Sequence, residues 1–163
     1  MARREIAVTL NGAERRIGVE DQVLLIELVR GLGLVGTKLS CDTQVCGACT
    51  VLLDGRTARG CLTLAAQISG KSVETIEGLT ESGKLAALQK EFIERNAAQC
   101  GFCSSGMLLT AHELISSGEK LSRAQIREAL SGNMCRCTGY HSIIDAVEAV
   151  SAKSAETGAG GRS

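Results

Sequence analysis

The chain has 163 residues, with 18 basic and 18 acidic side chains, so its formal net charge is zero. This balance leaves no basic excess to attract a phosphate backbone, and aromatic residues, on which bases would stack, make up only 2%. Composition therefore excludes nucleic acid as an expected partner. The longest apolar runs, such as Val23–Ile26 and Met107–Leu109, are far shorter than the roughly 20 residues that a bilayer requires. No membrane span is predicted.

The first half of the chain has the pattern of a small sheet packed on one helix. Asn11-Gly12 and Asp54-Gly55 are typical of tight hairpin turns. Asp21 is predicted to cap a helix over Val23–Arg30, which ends at glycines. The apolar face of this helix is predicted to be Leu24, Leu25 and Leu28. The predicted strands are Glu5–Leu10, Glu14–Val19, Thr50–Leu53, Thr57–Leu64 and Ser72–Ile76.

The second half changes to helical periodicity. Apolar residues recur at helical spacing, and Ser122 followed by Gln125 forms a capping-box signature. The four predicted helices are centred on Leu85–Phe92, span Ser104–Ile115, run from Ser122 to Gly132, and carry Ile143–Val150. The pattern predicts a sheet domain over residues 1–78, a helical domain over 79–153 and, from its Gly, Ser and Ala content, a disordered tail over 154–163.

The eight cysteines fall into two quartets that suit metal better than disulfides. We call Cys41, Cys46, Cys49 and Cys61 the first quartet, and Cys100, Cys103, Cys135 and Cys137 the second quartet. The first has the C-x4-C-x2-C…C spacing of plant-type ferredoxins, in which four thiolates hold one 2Fe–2S cluster. Arg3-Arg4 lacks the apolar segment of an export signal, so a cytoplasmic location is predicted. In that reducing compartment, free thiols are available to metal.

Other uses of the cysteines remain open at this point. Four disulfides would require export, and two four-cysteine zinc sites would fit the C-x2-C pairs better than the C-x4-C-x2-C run. A stand-alone ferredoxin would explain the first quartet and leave the second without a role. His112 and His141 are interpreted as surface or packing residues and not as ligands.

Three segments carry a family resemblance: the run from Cys41 to Thr50, the run from Gln99 to Cys103, and the run from Asn133 to Tyr140 with its Cys-Arg-Cys-Thr-Gly-Tyr block. Together they resemble the iron–sulfur small subunit of the molybdenum hydroxylases. That group includes xanthine dehydrogenase, aldehyde oxidoreductase, aerobic carbon-monoxide dehydrogenase and N-heterocycle hydroxylases. The resemblance covers roughly residues 3–152. It implies an α+β fold, with an N-terminal β-grasp domain of the plant-type ferredoxin kind followed by a C-terminal four-helix domain that also binds a 2Fe–2S cluster.

The resemblance also implies cofactors and partners. A large subunit would carry the molybdopterin-type molybdenum cofactor and a medium subunit would carry FAD, in a dimer of heterotrimers. Single electrons would pass from molybdenum through the inner cluster, held by the second quartet, to the outer cluster, held by the first quartet, and then to FAD. Gln99 and Cys137 would lie near the molybdopterin of the partner subunit. No residue of this chain is expected to be catalytic.

Two classes of function therefore remain. One is the electron-transfer subunit of a heteromeric molybdenum–flavin oxidoreductase. The other is an independent two-cluster electron carrier, or a zinc-binding interaction module. Gln99 and the block from Cys135 to Tyr140 favour the first, because a free carrier would not need them. The resemblance places the substrate site in the large subunit, so carbon monoxide, aldehydes, purines and N-heterocycles all remain possible substrates.

Overall fold

The computed structural model describes the backbone of residues 3–159. Within these residues, five strands form one mixed sheet in the order β2-β1-β5-β3-β4, in which β1 and β5 are parallel and the other pairs are antiparallel. The strands are β1 (Arg3–Leu10), β2 (Ala13–Glu20), β3 (Thr50–Leu53), β4 (Arg56–Arg59) and β5 (Ser72–Glu74). Both predicted hairpin turns are confirmed, with positive φ at Asn11-Gly12 and Asp54-Gly55, as a type I′ turn requires.

Helices cover one face of the sheet and build the second half of the chain. They are α1 (Leu25–Gly31), α2 (Ile76–Glu81), α3 (Ala86–Glu94), α4 (Ser104–Ile115), α5 (Arg123–Leu130) and α6 (His141–Ala159), with a 3-10 turn at Ala65–Ile68. The capping box at Ser122 is confirmed, because its hydroxyl accepts from the Gln125 N–H and the Gln125 side chain accepts from the Ser122 N–H. The predicted α+β class, a ferredoxin-like sheet followed by a helical unit, is confirmed.

The start of α1 differs from its prediction. Asp21 does not cap this helix, because its carboxylate accepts a hydrogen bond from Arg4 on the neighbouring strand at 2.5 Å. The helix begins after Leu24, whose backbone N–H donates to the Glu27 carboxylate at 2.8 Å. This shift rotates the buried face, so Leu24 and Leu28 are only half-buried. The buried residues of α1 are Leu25, Ile26 and Val29.

Two predicted strands are shorter in the structure. The strand predicted over Thr57–Leu64 ends at Arg59, so Cys61 lies in the turn that follows and not on a strand. In that turn the Gly60 N–H donates to the Cys49 carbonyl at 3.0 Å, which folds the turn against the end of the cysteine loop. The strand predicted over Ser72–Ile76 ends at Glu74, because Ile76 already begins α2.

Two of the predicted domain limits fall inside helices of the structure. Residue 78, the proposed end of the sheet domain, lies inside α2 (Ile76–Glu81). The tail predicted to be disordered from residue 154 continues α6 as a helix to Ala159, because its first residues, Ser154, Ala155 and Glu156, are compatible with helix. Residues 160–163 of that predicted tail lie outside the described residues.

Each half of the chain has an apolar core of its own. One lies between the sheet and α1, and the other lies among α2 to α6 and includes Leu52 from β3. The halves also meet where α4 crosses the β3–β4 hairpin: the Glu113 carboxylate accepts from the Thr57 N–H at 2.8 Å and from Arg56 at 3.1 Å. This contact holds the C-terminal part of α4 against the start of β4. None of the described helices is long and apolar enough to cross a membrane.

Candidate metal centres

The first cysteine loop, residues 41–49, joins α1 to β3. Its backbone is left-handed at Asp42, Gln44 and Gly47, with φ of 51°, 71° and 69°. Left-handed residues in a short loop turn successive N–H groups towards a common concave side. One of these groups, the Cys46 N–H, lies 3.4 Å from the Cys41 sulfur. The loop is therefore built to surround an acceptor such as sulfur.

The four sulfurs of the first quartet lie in two pairs. Cys49 Sγ and Cys61 Sγ are 3.3 Å apart and buried beside Ile26. Cys41 and Cys46 form the second pair, in which the Cys46 side chain hydrogen-bonds to the Cys41 sulfur. The structure thus brings these four residues, spread over 21 positions, into two sulfur pairs, and their ligation of one cluster stays a prediction.

The second quartet is assembled from two connections. Cys100 and Cys103 lie between α3 and α4, and Cys135 and Cys137 lie between α5 and α6. Across the two connections, Cys100 Sγ and Cys137 Sγ are 3.5 Å apart, and the Cys103 side chain hydrogen-bonds to Cys135. The second quartet is therefore also a set of two sulfur pairs.

The paired arrangement suits a two-iron cluster. A 2Fe–2S cluster takes four thiolates, so each quartet would supply its four ligands as two pairs. All eight cysteines are free thiols. Among the described residues, no three His, Cys, Asp or Glu side chains are grouped as they would be around a single metal ion. The donors present fit two 2Fe–2S clusters in number and in element.

The surroundings stabilise thiolates at some positions and thiols at others. Hydrogen bonds from the backbone of Thr43 and Cys46, and from the Cys46 side chain, lower the pKa of Cys41 to about 6. Burial, followed by the neighbouring Cys49, raises the pKa of Cys61 to about 11, and burial with Cys135 raises the pKa of Cys103 to about 12. The thiolate is the metal ligand, so the donors around Cys41 favour its ligating form, while the surroundings of Cys61 and Cys103 favour the neutral thiol.

The two quartets face one another across a shared cavity of about 480 Å³. Six cysteines line it: Cys41, Cys46, Cys100, Cys103, Cys135 and Cys137. At its wall, the backbone N–H of Met134 donates to the carbonyl of Cys46 at 2.8 Å. This hydrogen bond joins Cys46 of the first quartet to the residue that precedes Cys135 of the second quartet.

The Tyr140 hydroxyl hydrogen-bonds to the backbone on the N-terminal side of Cys135, a residue of the second quartet. Its hydroxyl donates to the Asn133 carbonyl at 3.0 Å and accepts from the Cys135 N–H at 2.9 Å. The Thr138 hydroxyl lies 3.1 Å from the Cys135 sulfur. In the sequence, Tyr140 stands out only as the last residue of the Cys-Arg-Cys-Thr-Gly-Tyr block. Its left-handed backbone, with φ of 69°, marks it as a residue held in place by its surroundings.

Gln99 lies on the surface next to Cys100. Cys100 and Cys137 are both exposed and their sulfurs are 3.5 Å apart, so the two residues predicted to face a partner cofactor, Gln99 and Cys137, both adjoin Cys100. His112 is on α4 and its pKa is lowered, chiefly by burial, whereas His141 is exposed at the first position of α6.

Comparison with known proteins identifies both halves of the chain. Residues 8–74 match the family described as the 2Fe-2S iron-sulfur cluster binding domain, and residues 75–148 match the [2Fe-2S] binding domain. The chain is 47% identical over 146 residues to the nicotine 6-hydroxylase small subunit of Paenarthrobacter nicotinovorans, covering 89% of this chain and 88% of the relative. It is 43% identical over 155 residues to caffeine dehydrogenase subunit gamma of Pseudomonas sp. strain CBB1, covering 93% of each.

A solved structure extends the likeness to the whole fold. A chain in the crystal structure of quinoline 2-oxidoreductase from Pseudomonas putida 86 superposes with a TM-score of 0.88 and 46% identity. The match covers 99% of each chain. The arrangement of the sheet unit and the helical unit is therefore shared with that protein as well as the sequence.

Proposed function

Because this chain belongs to the iron–sulfur small subunits of the molybdenum hydroxylase family, and is thus an electron-transfer subunit of an oxidoreductase, we propose a specific path for its electrons. Single electrons enter from a molybdopterin centre on a large subunit and leave to FAD on a medium subunit. The second quartet holds the cluster nearer molybdenum, and the first quartet holds the cluster nearer FAD. Each bound 2Fe–2S cluster supplies one-electron redox chemistry.

The shared cavity is the observation that carries this proposal. Six of the eight cysteines line it, and the Met134–Cys46 hydrogen bond crosses its wall. Two sites that act independently would have no need to face one another, whereas a relay requires them close together. This juxtaposition favours a relay within one chain over two unrelated metal sites.

The contribution of the chain's own residues is to hold sulfur and to provide N–H donors. Cys46 donates its backbone N–H to the Cys41 sulfur, and burial of Cys49 and Cys61 keeps water away from one side of the first site. Hydrogen bonds to the sulfurs and solvent exposure are the main means by which a protein sets a cluster's reduction potential. The more exposed second site and the more buried first site are therefore expected to differ in potential.

Gln99 and Cys137 form the proposed face towards the molybdopterin. Both are exposed, and Cys100 connects them through its peptide bond to Gln99 and its sulfur contact with Cys137. An amide side chain offers both hydrogen-bond donors and an acceptor, which suits a pterin edge. In this arrangement Gln99 binds the pterin while the Cys137 thiolate lies against it.

The surface around the cysteines supports docking to partner subunits. Val45, Phe102 and Met134 are large apolar side chains that remain 59%, 44% and 58% exposed, and each is within a few residues of a cysteine. Exposed apolar residues grouped around a site are typical of a surface that a partner covers. We propose that the large and medium subunits cover it, and that the complex is a dimer of heterotrimers.

For the complex as a whole, we propose an N-heterocycle as the substrate class. Relatives at 43–47% identity are named for nicotine, caffeine and quinoline, all of which are N-heterocycles. The test is to supply the purified complex with a pyridine, a purine, quinoline, an aldehyde and carbon monoxide. Turnover of the aldehyde or carbon monoxide alone would contradict this assignment.

The experiment for the relay itself begins with the complex co-purified through a tag on this chain. Iron and sulfide analysis should give about four of each per chain, and the dithionite-reduced complex should show two distinct rhombic EPR signals. A molybdopterin-containing chain and a flavin-containing chain should be recovered with it. A stable, fully loaded monomer without partners would instead support the independent carrier, and zinc without an EPR signal would support the interaction module.

A further inference from the structure

Asn133 occupies the seam between the two quartets. It is 1% exposed and lies two residues before Cys135. Its side-chain N–H groups donate to the Gly47 carbonyl at 3.1 Å and to the Thr50 hydroxyl at 3.4 Å, and its side-chain oxygen accepts from the Thr110 hydroxyl at 3.1 Å. A buried amide with partners on both ends is fixed in one orientation. Asn133 therefore ties the start of the second site to the loop of the first.

The carbonyl that Asn133 binds has no room to move. A Cβ placed on Gly106 of α4 would lie 2.4 Å from the Gly47 oxygen, and a Cβ on Gly47 would lie 2.5 Å from the Gly132 oxygen. The Thr50 hydroxyl also donates to the Gly47 carbonyl at 2.6 Å. Gly47 is thus enclosed between α4, the residues before Cys135 and the start of β3.

A cationic side chain, that of Arg59, binds the other side of this seam. Arg59 of β4 donates to the Gly132 carbonyl at 2.7 Å and to the Thr50 hydroxyl. Of these two partners, Gly132 is the residue before Asn133, and the Thr50 hydroxyl donates to the Gly47 carbonyl. The network therefore consists of hydrogen bonds from both halves of the chain that converge on the peptide after Cys46.

The same few residues reach both sets of ligands. Cys46 precedes Gly47, and its own carbonyl accepts from Met134, the residue between Asn133 and Cys135. The carbonyl of Asn133 accepts from Tyr140, whose hydroxyl also holds the Cys135 N–H. A displacement of Asn133 would therefore shift Cys46 relative to Cys135.

We propose that Asn133 is a positioning residue that fixes the distance and orientation between the two clusters by holding the Gly47 carbonyl. This rests on the proposed assignment of the eight cysteines as cluster ligands. Transfer between two redox centres falls steeply as their separation grows, and functional groups generally need placement within about 0.5 Å. Asn133 touches neither cluster in this arrangement and acts through the loops that carry Cys46 and Cys135.

The test compares two variants in the purified complex. Asn133→Leu has nearly the same shape but cannot donate to Gly47. Thr110→Val is the matched control, because it removes the hydrogen bond at the other end of the same amide and keeps the Asn133 N–H groups that donate to Gly47 and Thr50. Iron content, the magnetic interaction between the two reduced clusters by EPR, and the rate of electron equilibration between them by freeze-quench are measured for both.

The expected result is that Asn133→Leu retains about four irons per chain, alters the spin–spin interaction, and slows equilibration by on the order of tenfold. Thr110→Val should lower resistance to urea while leaving the interaction and the rate at the wild-type values. If Asn133→Leu does not fold, Asn133→Ser, whose side chain is too short to reach Gly47, decides the same question.

Three results would overturn the proposal. An unchanged spin–spin interaction in a folded Asn133 variant would make the residue a stabilising contact only. Loss of iron in both Asn133 variants would assign it to cluster assembly, and an equal change in Thr110→Val would indicate general loosening. A wild-type complex that lacks two clusters would instead contradict the proposed function, which separates the two failures.

Discussion

The two quartets reach similar sulfur arrangements by different routes. The first is mostly local: three of its cysteines lie in one nine-residue loop, and the fourth arrives from the turn after β4. The second depends on tertiary structure, because its two halves are brought together by the packing of α4, α5 and α6, with 31 residues between Cys103 and Cys135. A local loop carries its shape in its own backbone, whereas the second site depends on the helices around it.

The two quartets also differ in how exposed their cysteines are. Cys49 and Cys61 are buried, whereas Cys100 and Cys137 are exposed. The first site is thus protected from water on one side by the chain itself, and the second presents two of its sulfurs to whatever covers that surface. The chain therefore shields part of the first quartet within its own fold and leaves part of the second quartet open at the surface.

Removing one ligand from each site should give the largest effect and should separate their roles. Cys46→Ser is expected to reduce the iron content from about four to about two per chain and to block reduction of flavin by substrate, while substrate still reduces molybdenum. Cys103→Ser should remove the other EPR signal and stop electrons before the first site. Metal analysis and EPR of both complexes check this. Failure of substrate to reduce molybdenum in Cys46→Ser would mean that the proposed order is wrong.

Gln99→Ala tests the exposed face of the second site. The amide is proposed to bind the pterin, so its loss should slow reduction of the clusters by molybdenum by on the order of tenfold, the effect of a small misplacement. Iron content should stay at the wild-type value, since Gln99 is not a proposed ligand. Stopped-flow absorbance of cluster reduction by substrate measures the rate. If this variant loses iron, Gln99 is a structural residue of the second site.

A pair of glycines compares how tightly the two loops are enclosed. Gly47 and Gly101 both have left-handed backbone, with φ of 69° and 78°, but an added Cβ is 2.5 Å from a carbonyl oxygen at Gly47 and meets nothing within 4 Å at Gly101. Alanine should cost about 1–2 kcal/mol at each position for the backbone alone. At Gly47 the overlap should add about 1–3 kcal/mol.

The measurement for this pair is the urea concentration at which half of the cluster absorbance is lost. Gly47→Ala should lose its absorbance at a clearly lower concentration than Gly101→Ala. Equal midpoints for the two variants would show that the enclosure of Gly47 by α4 and Gly132 is not a source of stability.

Local signals in the sequence were enough for much of the fold. The Asn11-Gly12 turn, the strand Thr50–Leu53 and the helix Ser104–Ile115 were predicted at their observed positions, because turn chemistry and apolar periodicity act over a few residues. The prediction for Asp21 was wrong because a partner 17 residues away, Arg4, binds its carboxylate. Local propensity gives no information about such a competitor.

The candidate site, like the fold, could be predicted only in part. The quartets could be recognised from cysteine spacing, but the sulfur pairing and the cavity between the sites could not. The contact of Asn133 with Gly47 joins residues 86 positions apart, and nothing near either residue in the sequence indicates the other. Its one signal is an Asn beside a cysteine motif, which is equally compatible with an exposed turn.

Tyr140→Phe should give the smallest effect and should act on one site only. The hydroxyl bridges the Cys135 N–H and the Asn133 carbonyl, so its removal leaves two backbone groups without that partner. Because Tyr140 is half-buried, water can replace part of the loss, and we expect a cost of about 1 kcal/mol. The ring remains and the ligands stay in place, so iron content should not change.

The freed N–H of Cys135 can turn towards the Cys135 sulfur, which should raise the reduction potential of the second cluster and leave that of the first unchanged. Redox titration followed by EPR distinguishes the two signals, and an equal shift of both potentials would show that the sites are less separate than their construction implies.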